Sequence, residues 1–160
     1  MEESPRTEGA VTTVERSSDR EVVVTRSFDA PARLVFEAWS NPDLFQRWWV
    51  PKSLGMKLYA CEMDVRTGGT YRLNFGEGMD FFGRYIEVTP PSRIVWTNDE
   101  DGENSSVTTV TFEEDADGRT LLVMSELYPS KEALDAAGTG AAEATQETFA
   151  QLDELLVTLR

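Results

Sequence analysis

From Lys57 to Leu127 the chain is a series of short apolar runs cut by glycine, proline and aspartate, and this restricts it to folds built on an antiparallel sheet. Lys57–Asp64 leads into a Gly68-Gly69 turn. In Thr70–Phe75 the residues Tyr71, Leu73 and Phe75 share one face, while Thr70, Arg72 and Asn74 share the other. Such alternation predicts a sheet with one face buried. Gly76-Glu77-Gly78 then turns into Phe81–Val88, and Pro90-Pro91 into Arg93–Thr97. An acidic loop, Asp99–Asn104, precedes Val107–Phe112, and Asp115-Ala116-Asp117-Gly118 precedes Thr120–Leu127. Sequential strands with turns this short pair antiparallel.

The apolar face of that sheet needs a cover. Ala141 to Arg160 supplies it: Thr145, Phe149, Leu152, Leu156 and Leu159 form a helical stripe, broadened by Leu155. Ahead of the sheet, Glu21–Phe28 reads as a further strand. Asp29-Ala30-Pro31 opens a helix carrying Leu34, Val35, Ala38 and Trp39. Asn41-Pro42-Asp43 caps a second, short helix with Leu44, Phe45, Trp48 and Trp49, stopped by Pro51. Residues 1–19 are polar and aperiodic and are expected to be a mobile arm, leaving residues 20–160 as one domain. The expected fold is α+β: a curved antiparallel sheet of six to seven strands around a long C-terminal helix, with two short helices after the first strand.

Composition narrows function. The net charge of −14 repels nucleic acid and anionic lipid headgroups, so neither is expected as a partner. No apolar run reaches the roughly 18 residues of a membrane span, and the polar N-terminus does not read as a secretory signal. The single cysteine, Cys61, allows no internal disulfide and points to a reducing, cytoplasmic setting. There is no histidine, which excludes Ser-His-Asp and Cys-His catalysis and His-based metal sites. The acidic clusters Asp99-Glu100-Asp101 and Asp115/Asp117 lack calcium-loop spacing and read as solvated hairpin tips. No cofactor, metal or catalytic set is expected.

Several stretches resemble one superfamily. They are Ala30-Pro31 with Val35-Phe36-Glu37-Ala38-Trp39; Asn41-Pro42-Asp43-Leu44 with Arg47-Trp48-Trp49 and Pro51; Cys61 through Gly69; and Gly83-Arg84-Tyr85-Ile86-Glu87-Val88 running into Pro90-Pro91-Ser92-Arg93-Ile94-Val95-Trp96-Thr97. Residues 21–160 resemble the START-like (SRPBCC) superfamily, in the branch named after the activator of heat-shock protein 90 ATPase. The resemblance implies the helix-grip (START/Bet v-like) fold and a pocket beneath the last helix. It also implies a hydrophobic or amphipathic small molecule as partner. Its alternatives are a polyketide cyclase-like or hydrolase-like enzyme using the same cavity, and a co-chaperone-type interaction domain with a chaperone partner. A homodimer is compatible with it.

The candidates for the pocket wall are aromatic. Trp48 and Trp49 point about 100° apart on a helix, so one should enter the core and the other the cavity wall. Tyr71, Leu73, Phe75, Phe81, Tyr85 and Trp96 make the central strands aromatic. Phe149 and Leu152 face them from the last helix. Met63, Met79 and Met124 offer adaptable wall. Tyr59, Tyr71 and Tyr85 are candidate hydroxyls. Among charged strand residues, Glu87 and Arg84 are the candidate polar pocket groups: alternation puts Glu87 on the face of Tyr85 and Gly83, and a buried Glu87 would be a general acid or base.

Overall fold

The computed structural model describes residues 12–99, 102, 105–138 and 144–159. Its β strands form one eight-stranded antiparallel sheet in the order β1-β2-β8-β7-β6-β5-β4-β3. The strands are β1 (Thr13–Arg16), β2 (Glu21–Phe28), β3 (Ala60–Met63), β4 (Thr70–Asn74), β5 (Asp80–Thr89), β6 (Arg93–Asn98), β7 (Ser106–Glu114) and β8 (Thr120–Leu127). The helices are α1 (Ala32–Ser40), α2 (Pro42–Trp48), α3 (Lys131–Ala137) and α4 (Thr145–Leu159), with a 3₁₀ turn over Lys52–Leu54.

Strict alternation makes β2 a half-buried strand: Val22, Val24, Arg26 and Phe28 are buried and the residues between them are not. Neighbouring β8 repeats the pattern with Leu122 and Met124 inward. The expected sheet thus forms, with one strand more. Thr13–Arg16, expected within the mobile arm, pairs antiparallel with β2. An edge strand gains its ladder from backbone groups that any sequence supplies, and half-buried Val14 is the one apolar anchor it needs. Residues 1–11 of the expected arm lie outside the described residues.

Both short helices start on named hydrogen bonds. The Asn41 side chain accepts the Asp43 N–H at 2.9 Å, with Pro42 in the first turn of α2. Pro31 precedes α1 and offers no side-chain cap. The Glu114 carboxylate of β7 accepts the Ala32 N–H at 2.9 Å instead. Helix α4 packs on α1 and α2. It meets the sheet through Phe149, whose ring lies edge-on to Phe28 at 5.7 Å, and through Asp153, which pairs with buried Arg26 at 3.1 Å. The expected start of this helix at Ala141–Glu143 lies outside the described residues.

Candidate ligand cavity

Trp39 organises one end of the interior. Its indole is 2% exposed and meets the rings of Phe45, Trp48, Trp49, Trp96, Phe112 and Phe149, with centroids 4.8–6.3 Å apart. Edge-to-face pairs of this kind add about 0.5–1.5 kcal/mol each beyond their burial. The Trp39 indole N–H is buried without an oxygen or nitrogen partner among the described residues, so ring faces are the acceptors on offer.

Beyond this cluster the packing opens into a cavity of about 330 Å³, within the range of small-molecule sites. Three segments enclose it. The concave face of β3–β6 supplies Met63, Tyr71, Leu73, Phe81, Tyr85, Ile94 and Trp96, with Phe75 just past β4. The connection after α2 supplies Trp49, Val50, Leu54 and Met56. The start of α4 supplies Thr145 and Thr148. Leu54 and Phe81 line it yet are 60% and 41% exposed, so they mark its mouth.

Two backbone irregularities aim the wall. Gly68 donates to the Tyr85 carbonyl and Tyr85 donates to the Gly69 carbonyl, both at 2.8 Å, so the Gly68-Gly69 turn grips Tyr85 from the side. A Cβ on Gly69 would come within 1.9 Å of the Asp64 carbonyl oxygen, which reserves the position for glycine. Further along β5, the register against β6 shifts between Tyr85 and Glu87, so that Tyr85 faces Trp96 while Glu87 faces Val95. The bulge reverses the alternation. Val88 turns to the core and Glu87 to the outside, where its carboxylate meets Arg93 at 3.2 Å and the Thr89 hydroxyl at 2.8 Å.

The expectation of Glu87 and Arg84 as polar pocket groups is therefore corrected. Arg84 projects outward on β5, its side chain 64% exposed and 3.4 Å from Asp99. Trp49, Met63, Tyr71, Leu73, Phe75, Phe81, Tyr85 and Trp96 are brought together at the cavity. Trp48 is not among them: it is fully buried and donates its indole N–H to the Ala38 carbonyl at 2.9 Å. Met124, Phe149 and Leu152 are also in the packed core, because α1 and the Trp39 cluster fill the interior on the β8 side. Met79 and Tyr59 sit outside the wall, 41% and 65% exposed.

Sequence reasoning missed Met56, Asn98 and Thr148 as wall residues. Thr148 was reachable, since it follows Thr145 and precedes Leu152 at helical spacing. Met56 carried no periodic signal, and Asn98 lies one residue past the expected strand Arg93–Thr97, in step with Ile94 and Trp96. Asn98 is the hub of a polar network. Its Oδ1 accepts from the Tyr71 hydroxyl and the Trp96 indole, each at 3.2 Å. Its Nδ2 donates to the Ser106 and Thr108 hydroxyls, and Ser106 donates to Glu126 at 2.7 Å. Tyr71 also donates to the Thr97 carbonyl at 2.7 Å.

Helix α4 clamps the connection after α2. Gln151 donates from Nε2 to the carbonyls of Trp48 and Val50 and accepts the Lys52 N–H, all at 2.9 Å. One turn earlier, Glu147 accepts the Ser53 hydroxyl at 2.6 Å and the Ser53 N–H at 2.9 Å. These bonds hold the Glu147 carboxyl below its usual range, the hydroxyl contributing most. Burial first, then the charges of Cys61 and Asp64, push the Tyr85 phenol far above its ordinary value, so it stays protonated. Burial, and then Asp43, raise the Cys61 thiol as well. Among the described residues no charged side chain lines the cavity, and no group of three or more His, Cys, Asp or Glu is placed to hold a metal ion.

A long helix held against a curved antiparallel sheet, with two short helices closing one end over an apolar cavity, defines the helix-grip class of the START-like superfamily. Within that class the chain belongs to the family described as activator of Hsp90 ATPase homolog 1-like protein, which matches residues 29–157. No curated protein matches it. Among solved structures it is similar to a Rhodobacter sphaeroides protein, with 25% identity, a TM-score of 0.81, and 94% of this chain and 100% of that one covered. A Nitrosomonas europaea protein aligns with TM-score 0.77 at 19% identity, over 91% of this chain and 99% of that one. A Mycobacterium smegmatis protein gives 0.74 at 24% identity, over 94% and 100%. No helix among the described residues is long and apolar enough to cross a membrane.

Proposed function

We propose that the protein binds a hydrophobic or amphipathic small molecule in the cavity between sheet and α4, without catalysing its conversion. The observation that carries this reading is the cavity itself: about 330 Å³ walled by aromatic and aliphatic side chains, with two exposed apolar residues at its mouth. A non-catalytic role is supported by the wall's chemistry. A general base needs a group that ionises near the working pH, and Tyr85 is driven the other way. The reducing, cytoplasmic setting suggested by the lone cysteine goes with this reading. Native mass spectrometry of gently purified protein tests it. A mass excess that vanishes on denaturation is the expected result. Equal native and denatured masses, together with no thermal stabilisation by any apolar compound supplied, would remove the reading.

A second reading has one observation in its favour. Phe82 and Ile86 stand on the outer face of β5, 43% and 49% exposed, beside Arg84. Such a surface suits a protein partner of the co-chaperone type. Capture of the host's heat-shock protein 90 homologue by the wild type, lost in Phe82→Ser/Ile86→Ser, would support it. Failure of the wild type to capture it would exclude it.

A further inference from the structure

The polar groups of the wall are unevenly committed. The Tyr71 hydroxyl, the Trp96 indole N–H and the Asn98 amide are spent on one another and on Thr97, Ser106 and Thr108. Two hydroxyls are not. Neither Tyr85, on the sheet wall, nor Thr148, on the α4 wall, makes a side-chain hydrogen bond among the described residues, although the two residues are only 5% exposed. A hydroxyl that lines a cavity with no partner among the described residues is a group open to what enters.

From these hydroxyls, and resting on the cavity-binding reading above, we infer that the ligand is an uncharged, flat aromatic molecule of two or three fused rings carrying a hydrogen-bonding oxygen, held between Tyr85 and Thr148. Flatness follows from the walls: Trp49, Tyr71, Phe81 and Trp96 present rings, against which aromatic faces and edges pack with directional gain. The absence of charge follows from the lining. A carboxylate or ammonium entering here would lose its water and meet no opposite charge among the described residues. The raised proton affinity of the Tyr85 phenol makes it a neutral donor, which suits a carbonyl or hydroxyl oxygen and offers an anion no countercharge. The volume of about 330 Å³ accommodates such a ring system.

The test is a set of matched titrations of the full chain at pH 7, read by tryptophan fluorescence. The probes are naphthalene, 2-naphthol, 2-naphthoate and decan-1-ol. The expected order puts 2-naphthol first, about 5–10-fold tighter than naphthalene, as one or two neutral hydrogen bonds supply. 2-Naphthoate should be at least about tenfold weaker than 2-naphthol, since its carboxylate meets no opposite charge. Decan-1-ol should be about 3–10-fold weaker, since it forgoes the directional ring contacts. In Tyr85→Phe the ratio of 2-naphthol to naphthalene affinity should fall toward one. Thr148→Val provides the same reading should Tyr85→Phe fail to fold. Equal binding of 2-naphthoate or decan-1-ol and 2-naphthol would overturn the inference and leave cavity binding standing. So would a 2-naphthol advantage that survives in both variants. If none of the four probes binds, the inference falls, while the cavity-binding reading stands or falls on the native mass spectrum.

Discussion

Arg26 is the only charged side chain buried among the described residues, 6% exposed on the concave side of β2. Burial lowers its pKa and the charge of Asp153, 3.1 Å away on α4, works against that. The guanidinium also lies over the Phe28 ring at 5.1 Å, while its Nε has no partner among the described residues. An ion pair so placed ties helix to sheet but adds little net stability, because desolvation offsets attraction. Arg26→Met, which keeps the packing of the stem, should therefore stay within about 1 kcal/mol of wild type. Asp153→Ala leaves the buried charge alone and should cost more, about 1–3 kcal/mol given that Asp153 is half-exposed. Urea midpoints check the order, and a variant order reversed from this would contradict it. Other single residues were readable without coordinates. Asn41 capping α2 and the division of Trp48 from Trp49 follow from helix geometry alone. Which of the two tryptophans entered the core was not readable, because it depends on the Ala38 carbonyl being in place to accept the Trp48 indole.

At the scale of elements, alternation exposed seven strands and the helical stripe exposed α4, because each signal is local. β1 escaped because an edge strand with one apolar residue has no pattern to show. The bulge in β5 escaped because alternation presumes an unbroken ladder, and neither glycine nor proline marks Ile86 as the place where it slips. That slip is what removes Glu87 from the cavity. The clasp between α4 and the 3₁₀ turn was equally hidden, since Glu147 and Gln151 read as ordinary helix-surface residues. It carries a pH signature. A carboxyl whose folded pKa is depressed contributes stability above its ordinary value, near 4.5, and that contribution is lost as pH falls through the folded pKa. Glu147→Ala should thus be less stable than wild type at pH 7, by a margin nearly unchanged at pH 5.5 and shrinking below pH 4.5 toward pH 3. Thermal melts across that range check it, and a margin constant down to pH 3 would show that the carboxylate is not what holds Ser53.

For the whole molecule, the fold divides the interior in two. On the β8 side, α1, Phe149 and Leu152 fill the space beneath the sheet. On the β4–β6 side α4 begins over a cavity. The sequence could announce an apolar, aromatic interior but not this division, which depends on where α1, α2 and the clasped 3₁₀ turn come to rest. The division also gives the most direct test. The chain has four tryptophans, of which Trp39, Trp49 and Trp96 line the cavity, while Trp48 is sealed behind them. Their indole N–H signals can be followed in a ¹H–¹⁵N spectrum as 2-naphthol or naphthalene is added. Binding in the cavity predicts saturable shifts at Trp49 and Trp96, a smaller one at Trp39, and little at Trp48 or at the amides of Phe82 and Arg84 on the outer face. Shifts confined to that outer face, or none at any of the four indoles, would contradict a ligand held between sheet and helix.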